Sequence, residues 1–258
     1  MKPAIFPEAA GVAVSLSFDD ARPSQLEAVR ILDEHGVRAT FYVLPRAVAS
    51  ARERWAAVAS SGHEIGNHSY THPCSVNFDF ARRNALENQT MDEVAADIDE
   101  ASRRIEELLA VRPRTFAYPC GQSFVGRGRG RQSYVRLIAE RFVAGRGYGS
   151  ETSNRPDLCD LAHLEAYAID GMHARALQSL VQAGMTHGAW VIMVGHDVGR
   201  GGRQTVSPYE LDRFCRQLAR DERVWVAPVV VVAQRLLATR SGRPGAPTPG
   251  AQISNPSK

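Results

Sequence analysis

Two adjacent carboxylates, Asp19 and Asp20, come directly after the hydrophobic segment 12–18. Charged groups at the end of a buried strand cost free energy unless they are compensated or used. One of the two can bind a metal while its neighbour, which points the other way, stays free as a base. Capping of the following helix would account for one aspartate but hardly for both. The pair therefore indicates metal binding or proton transfer.

Two histidines, His68 and His72, lie four residues apart. On a helical turn this spacing places both imidazoles on one side, where a single metal ion can bridge them. Taken alone, the pair is also consistent with two surface or structurally satisfied histidines. A carboxylate from another strand usually completes such a site, and Asp19-Asp20 gives the metal interpretation its weight.

A third histidine, His196, follows the most hydrophobic segment of the chain, 189–194. It can be a core residue satisfied by a backbone partner, but its position at the end of a strand favours proton transfer. Asp170 and the segment 119–121, which contains Cys120, also follow predicted strands. The carboxyl ends of parallel strands meet at one rim, so these groups are expected to lie together.

Strand-like and helix-like segments alternate along the chain. β-branched and apolar runs predict strands, and apolar residues at a 3.6-residue period predict helices between them. The predicted strands are 12–18, 37–44, 63–67, 114–118, 142–144, 164–169, 189–194 and 224–227. This alternation predicts an α/β fold, a distorted (β/α) barrel of seven or eight strands, with an open doubly wound sheet as the alternative.

Length and composition are ordinary for a globular protein: 258 residues, 44% hydrophobic, 23% charged and a net charge of +3. A single catalytic domain is predicted over residues 1–240, and the Gly- and Pro-rich residues 241–258 are predicted to be a disordered tail. The charge is too small to indicate a nucleic-acid partner. No stretch reaches the ~20 apolar residues of a membrane span. The oligomeric state is not predicted.

The N-terminal residues 1–11 contain a single lysine and no continuous apolar core, so no signal peptide is predicted. The chain is then cytoplasmic, or secreted if a leader precedes the given sequence. Cys74, Cys120, Cys159 and Cys215 are widely spaced and contain no CxxC pair. We therefore predict mostly free or buried thiols and neither a disulfide framework nor a thiolate zinc site.

Four ordered segments resemble the motifs of the polysaccharide deacetylases (carbohydrate esterase family 4, the NodB-homology domain). They are Ser17-Phe18-Asp19-Asp20, His68-Ser69-Tyr70-Thr71-His72, Phe116-Ala117-Tyr118-Pro119-Cys120-Gly121 and Gly195-His196. The resemblance extends from about Val12 to Leu237. It implies a metal-dependent hydrolase that removes acetyl groups from a carbohydrate, through either an ester or an amide bond.

The resemblance also implies a role for each matching residue. Asp20, His68 and His72 would ligate a divalent metal, usually zinc, with cobalt or nickel as alternatives. Asp19 would be the general base toward the attacking water and His196 the general acid toward the leaving group. The backbone N–H of Cys120 would stabilise the oxyanion.

Two family features are absent from the motifs. Ala117 occupies the place of the arginine that usually steadies the base, and Arg146, after another predicted strand, is our candidate substitute; a surface arginine is the alternative. Asp170 precedes a glycine where the family has Asp-Trp, so it can orient His196 but provides no aromatic wall for the sugar. Trp190 and Trp225 lie within predicted strands and are expected to pack in the core.

Three further interpretations stay open. The loop Gly126–Arg131 (GRGRGR) is either a flexible solvated loop or a binding element for an anionic glycan. The same barrel and site can serve hydrolysis of a cyclic amide or ureide. A non-catalytic carbohydrate-binding relative is the third interpretation, although such a protein has no need of both a base and an acid.

Overall fold

The computed structural model describes residues 5–7 and 10–240, and each predicted strand segment overlaps an observed strand. Short two-residue strand pairs were not predicted and lie in the loops. The strands are β1 (Val12–Asp19), β2 (Thr40–Val43), β3 (Glu64–Asn67), β4 (Thr115–Ala117), β5 (Phe124–Val125), β6 (Gln132–Ser133), β7 (Ala144–Arg146), β8 (Tyr167–Ala168), β9 (Trp190–Gly195), β10 (Asp197–Val198), β11 (Thr205–Val206) and β12 (Val224–Val226).

Helices connect most of these strands, as expected for crossover connections between parallel strands. One of them, α2, begins two residues after the last residue of β2, with Leu44 as its N-cap. The helices are α1 (Gln25–Glu34), α2 (Pro45–Ser50), α3 (Arg52–Ser60), α4 (Met91–Leu109), α5 (Val135–Arg141), α6 (Ala174–Thr186), α7 (Pro208–Leu218) and α8 (Val229–Arg240).

The main sheet is parallel and curls into a distorted barrel, which confirms the predicted fold class. Its order is β7-β4-β3-β2-β1-β9-β8, and β12 pairs with the first half of β1. A parallel bridge between Arg146 and Leu164 brings the segment before β8 against β7. The two ends of the strand order therefore approach each other, and the carboxyl ends of the strands surround one opening.

Hydrophobic burial fixes the two strands that carry most of the site. All eight residues of β1 are buried, and β1 pairs with β9 over six consecutive residues. Trp190 is fully buried in β9, as predicted, while Trp225 is half-buried and packs against Phe6. Because both faces of these strands are covered, the polar residues at their ends are held in fixed positions.

The longest helix, α4, packs against β3, α2 and α3. Thr90 caps it through a reciprocal pair of hydrogen bonds with Glu93. Within the described residues, no helix is long and apolar enough to cross a membrane. The predicted disordered tail, 241–258, lies outside the described residues.

Candidate active site

The predicted site residues meet at the carboxyl end of the barrel. Asp19 is the last residue of β1, Arg146 the last of β7, and His196 follows β9. His68 follows β3 in the same way. These four side chains are 9% exposed or less, so their charges and hydrogen bonds act in a largely water-free environment.

Three of the predicted ligands form a cluster. Oδ1 of Asp20 lies 3.5 Å from Nε2 of His68 and 3.7 Å from Nε2 of His72. The three ligand atoms lie within 4.8 Å of one another. A tetrahedral ion with bonds of about 2.0–2.2 Å sets its ligands about 3.3–3.6 Å apart. The donor set therefore fits a zinc-type ion and leaves positions open for water and substrate.

Two side-chain atoms of the cluster that do not face the other ligands, His68 Nδ1 and Asp20 Oδ2, form hydrogen bonds with neighbouring groups. Nδ1 of His68 donates to the carbonyl of Ala117 at 2.9 Å, which directs Nε2 toward Asp20. Arg22 donates to Oδ2 of Asp20 at 2.8 and 3.0 Å, so Oδ1 stays free for the histidines. Neither Arg22 nor this division of the two oxygens was predicted from the sequence.

Electrostatics favours the ligand forms of these side chains. Burial acts to raise the pKa of Asp20, but the positive charges of His68, His72 and Arg22 outweigh it, and the pKa lies below its ordinary value. Burial, reinforced by His68, lowers the pKa of His72 to about 4. A carboxylate and a neutral imidazole are the protonation states that bind a metal.

Left-handed backbone is concentrated here. Asp20, Ser69, His72 and Cys120 have φ values of 79°, 68°, 57° and 53°, although none is a glycine. Such conformations cost free energy and persist where the surrounding structure determines them. The strain turns the chain sharply after β1, β3 and β4, and it aims the side chains inward.

The second carboxylate, Asp19, has a different environment from Asp20. The guanidinium of Arg146 donates to Oδ1 of Asp19, and its Cζ lies 4.6 Å from the centre of the Tyr42 ring. Both partners of this ion pair are buried. Oδ2 of Asp19 lies 3.9 Å from Nε2 of His68. The structure thus brings Arg146 from a separate strand to the carboxylate that the family arginine usually steadies.

His196 is paired with Asp170. Nδ1 of His196 lies 2.7 Å from Oδ2 of Asp170, and the His196 N–H donates to Oδ1 at 3.0 Å. Burial acts to lower the pKa of His196, but the bond to Asp170 and the charges of Asp19 and Asp20 raise it above the ordinary value. His196 can therefore carry a proton near neutral pH and present Nε2 as a donor.

Gln25 holds the two halves of the site together. Its side-chain amide donates to the backbone carbonyl of Asp19 and, at 3.0 Å, to that of His196. One buried side chain on α1 thereby fixes the ends of β1 and β9 relative to each other. The sequence analysis missed Gln25, because a buried glutamine within an amphipathic helix has no distinguishing pattern.

The cysteine prediction is wrong for two of the four residues. Cys74 and Cys120 form a disulfide with a Cα–Cα distance of 6.1 Å, whereas Cys159 and Cys215 are free thiols as predicted. The two bonded residues are 46 positions apart and have no local pattern, but β3 and β4 are adjacent, so the loops after them meet. Sγ of Cys74 lies 3.7 Å from Nδ1 of His72, so the disulfide adjoins the cluster of Asp20, His68 and His72.

A cavity of about 710 Å³ opens over these groups and is also lined by Cys120, Tyr148 and two phenylalanines. Phe78 and Phe80 are 39% and 68% exposed, and their ring centres are 5.4 Å apart. Phe80 lies 6.2 Å from the His72 ring. The cavity therefore has an aromatic wall, which the sequence analysis judged to be missing. The segment Phe78-Asp79-Phe80, shortly after the histidine pair, was the available indication.

Comparison with known proteins agrees with the motifs. Residues 8–128 match the family model described as polysaccharide deacetylase. Chitin deacetylase 1 of Cryptococcus neoformans is 32% identical over 108 residues, 41% of this chain and 20% of the relative. Peptidoglycan-N-acetylglucosamine deacetylase of Bacillus cereus is 36% identical over 81 residues, 30% of this chain and 29% of the relative. These matches span less than a third of each relative.

Solved structures show the same fold at low sequence identity. A structure from Mycobacterium smegmatis described as a polysaccharide deacetylase has a TM-score of 0.67 at 18% identity and covers 98% of this chain and 99% of that one. A PuuE allantoinase has a TM-score of 0.66 at 15% identity, with coverage of 91% and 93%. In its motifs, in the matched residues 8–128 and in its barrel fold, the chain is similar to the polysaccharide deacetylases.

Proposed function

We propose that this protein is a metal-dependent hydrolase that removes acetyl groups from a carbohydrate. The observation that carries the proposal is the arrangement of two proton-transfer pairs, Asp19 with Arg146 and His196 with Asp170, around one three-ligand cluster. A non-catalytic binding protein has no use for both pairs. The two deacetylase relatives support the same reaction class.

Asp20, His68 and His72 would hold the metal, most suitably zinc for one carboxylate oxygen and two imidazole nitrogens. The ion would supply Lewis-acid chemistry, which makes water a stronger nucleophile near neutral pH and polarises the acetyl carbonyl. His68 would meet it through Nε2, because its Nδ1 donates to a carbonyl, and the low pKa of His72 keeps that ring neutral.

Asp19 is placed to accept the proton of the attacking water through Oδ2, while Arg146 fixes Oδ1 and balances the charge. The Cys120 N–H, in a backbone turn at the edge of the cavity, is the proposed donor to the oxyanion. His196 then gives its proton to the departing hydroxyl or amine, and Asp170 stabilises the protonated ring. Acetate and the free sugar group are the products.

Acetate release from acetylated xylan, N-acetylchitohexaose and peptidoglycan, measured with zinc-loaded protein, tests the proposal. Turnover on at least one of them is expected, with loss in Asp19→Asn and none in Asp92→Asn, an exposed carboxylate in the first turn of α4. Glycan binding without acetate release by the metal-loaded protein would overturn the proposal in favour of a binding protein.

The allantoinase likeness supports one alternative, hydrolysis of a cyclic ureide by the same groups. The two interpretations differ in product and in the need for an acetyl group. Ring opening of allantoin with no acetate from any acetylated sugar would establish the alternative, and acetate release with no activity on allantoin would exclude it.

A further inference from the structure

Two glycine- and arginine-rich loops flank the active-site cavity. Gly126–Arg131 lies between β5 and β6, beyond the turn that contains Cys120, and 199–203 lies between β10 and β11, just beyond His196. Both loops therefore leave the rim at which the site residues collect. Their five arginines are all exposed: Arg127, Arg129, Arg131, Arg200 and Arg203.

None of these arginines has a carboxylate partner among the described residues, unlike several exposed arginines elsewhere on the surface. Arg30 pairs with Glu27 and Glu34, and Arg103 pairs with Glu100 and Glu107. Within residues 5–7 and 10–240, the five loop arginines make no such pair. Arg127 donates to neutral groups of Asn88 and Glu87, and Arg131 stacks over Phe124 at 4.0 Å.

The two loops and the active site form one track. Arg22 and Gln204 line both the central cavity and a cavity of about 570 Å³ beside 199–203. On the other side, Cys120 lines the central cavity, and the adjacent Gly121 lines a further cavity of about 570 Å³ under the loop Gly126–Arg131. A polymer that crosses the site would contact both loops.

The carboxylates in the flanking cavities already accept hydrogen bonds. Glu87 accepts hydrogen bonds from the Ser75 hydroxyl and the Val76 N–H. Asp197 accepts from Ser24 and from Arg22. Arginines outnumber carboxylates in both flanking cavities, so the net charge there is positive, and a cleft with an excess of one sign of charge attracts ligands of the opposite sign.

The first loop has a defined backbone shape. It is the turn of a β5–β6 hairpin, and the Gly126 N–H donates to the Leu86 carbonyl at 2.9 Å. Gly126 has a φ of 71°, and a Cβ there would lie 2.7 Å from the Gly130 carbonyl oxygen. The backbone thus holds the three arginines of this loop in a preset arrangement.

We propose that the substrate is an anionic glycan, in which the acetylated sugar is flanked by residues that carry carboxylates. This inference rests on the proposed deacetylase function and names its substrate class. An arginine guanidinium binds a carboxylate through two parallel hydrogen bonds. Uronate residues would supply such carboxylates on both sides of the reacting sugar. Apart from Phe124, the described loops carry no aromatics on which nucleic-acid bases would stack.

Matched pairs of substrates test the proposal. O-acetylated polygalacturonate is compared with its methyl ester, and a hyaluronan oligosaccharide with its own methyl ester, so that the negative charge is the main change. At low salt, kcat/KM is expected to be about tenfold or more higher on the charged member, as several weak surface ion pairs together would give. The advantage should shrink at high NaCl because screening weakens exposed pairs.

Two loop variants locate the effect. Each variant replaces the arginines of one loop by glutamine and should raise KM on the charged substrate several-fold, with kcat much less affected. The variants are Arg127→Gln/Arg129→Gln/Arg131→Gln and Arg200→Gln/Arg203→Gln. Arg112→Gln/Arg220→Gln removes two exposed arginines that precede β4 and β12, at the opposite end of the sheet, and should leave KM unchanged. Circular dichroism checks the fold, and the wild-type salt series decides the question if a variant does not fold.

The outcomes separate the proposals. Equal kcat/KM on charged and neutral members, or a salt-independent preference, would overturn the anionic-glycan inference while leaving deacetylation intact. No acetate from any member would instead refute the proposed function. Stronger competition by single-stranded poly(U) than by non-acetylated polygalacturonate would assign the arginine loops to RNA and overturn the inference.

Discussion

Two buried carboxylates lie at opposite ends of the same sheet. Glu64 begins β3 at the amino end, and its oxygens accept hydrogen bonds from Thr40, Thr115 and the Val230 N–H. Asp19 ends β1 at the carboxyl end, and Arg146 binds only one of its oxygens. Both side-chain oxygens of Glu64 accept hydrogen bonds within the fold, whereas Oδ2 of Asp19 lies on the side of His68 and the cavity.

The backbone conformation also differs between the two ends of the sheet, because non-glycine residues with positive φ collect at the carboxyl end. Of the six non-glycine residues with positive φ among those described, five lie at the site: Asp20, Ala21, Ser69, His72 and Cys120. The sixth, Ala110, ends a helix at the other end. At the amino end, Glu64 has all its hydrogen bonds within the fold and lies in relaxed backbone, which suits a stabilising role. At the carboxyl end, a carboxylate oxygen is free and the backbone is strained, which suits the proposed chemistry.

The largest effects are expected from the adjacent aspartates. Asp20→Ala should lose the metal and essentially all activity, because it removes a ligand. Asp19→Asn should retain metal but lose kcat by ~10²-fold or more, the usual scale for a general base. Metal analysis and acetate release distinguish the two. An empty site in Asp19→Asn with normal metal in Asp20→Ala would show that their roles are exchanged.

Removal of the proposed acid should have a large effect that depends on the substrate. His196→Ala should bind metal normally yet lose ~10²- to 10⁴-fold in kcat on an acetylated sugar, whose leaving group must be protonated. On 4-nitrophenyl acetate the loss should be much smaller, since the phenolate leaves without a proton. His187→Ala, an exposed histidine after α6, is the control. Equal losses on both substrates would argue against the acid role.

A smaller change should appear in the pH profile of Asp170→Asn. The raised pKa of His196 depends partly on Asp170, so the variant should have a lower His196 pKa. Because the acid acts when protonated, activity falls as pH rises through this pKa. The alkaline limb of kcat should therefore move to lower pH in the variant. An unmoved limb would show that another group sets it.

The smallest effect on activity is expected at the amino end. Glu64→Gln should keep kcat but lose about 1–3 kcal/mol of unfolding free energy, as for disturbed buried hydrogen bonds. Burial raises the pKa of Glu64, so the wild-type contribution is complete at low pH and declines as pH rises through the folded-state pKa. The stability difference measured in urea should then shrink with rising pH. If Glu64→Gln lost activity but not stability, Glu64 would serve the reaction and not the fold.

Much of this arrangement could be predicted from the sequence, because strand ends carry chemistry in such barrels. Asp19, Asp20, His68, His72 and His196 each follow or lie near the end of a hydrophobic segment, and the structure brings them to one cavity. Arg146 was identified by the same rule, even though its strand is far along the chain from Asp19.

The unpredicted features depend on contacts between distant loops. The Cys74–Cys120 disulfide and the bond from the Gln25 amide to the His196 carbonyl each join segments whose proximity only the folded barrel creates. The aromatic wall was missed for a related reason. The family pattern directed attention to a tryptophan, whereas Phe80 in another loop lines the same cavity.

The most direct test of the account is removal and restoration of the metal. Protein dialysed against a chelator should release no acetate from its best acetylated substrate, and zinc or cobalt should restore activity as one ion binds per chain. Asp20→Ala, treated identically, should recover neither metal nor activity. Full activity in wild-type protein verified to be metal-free would contradict the proposed role of Asp20, His68 and His72.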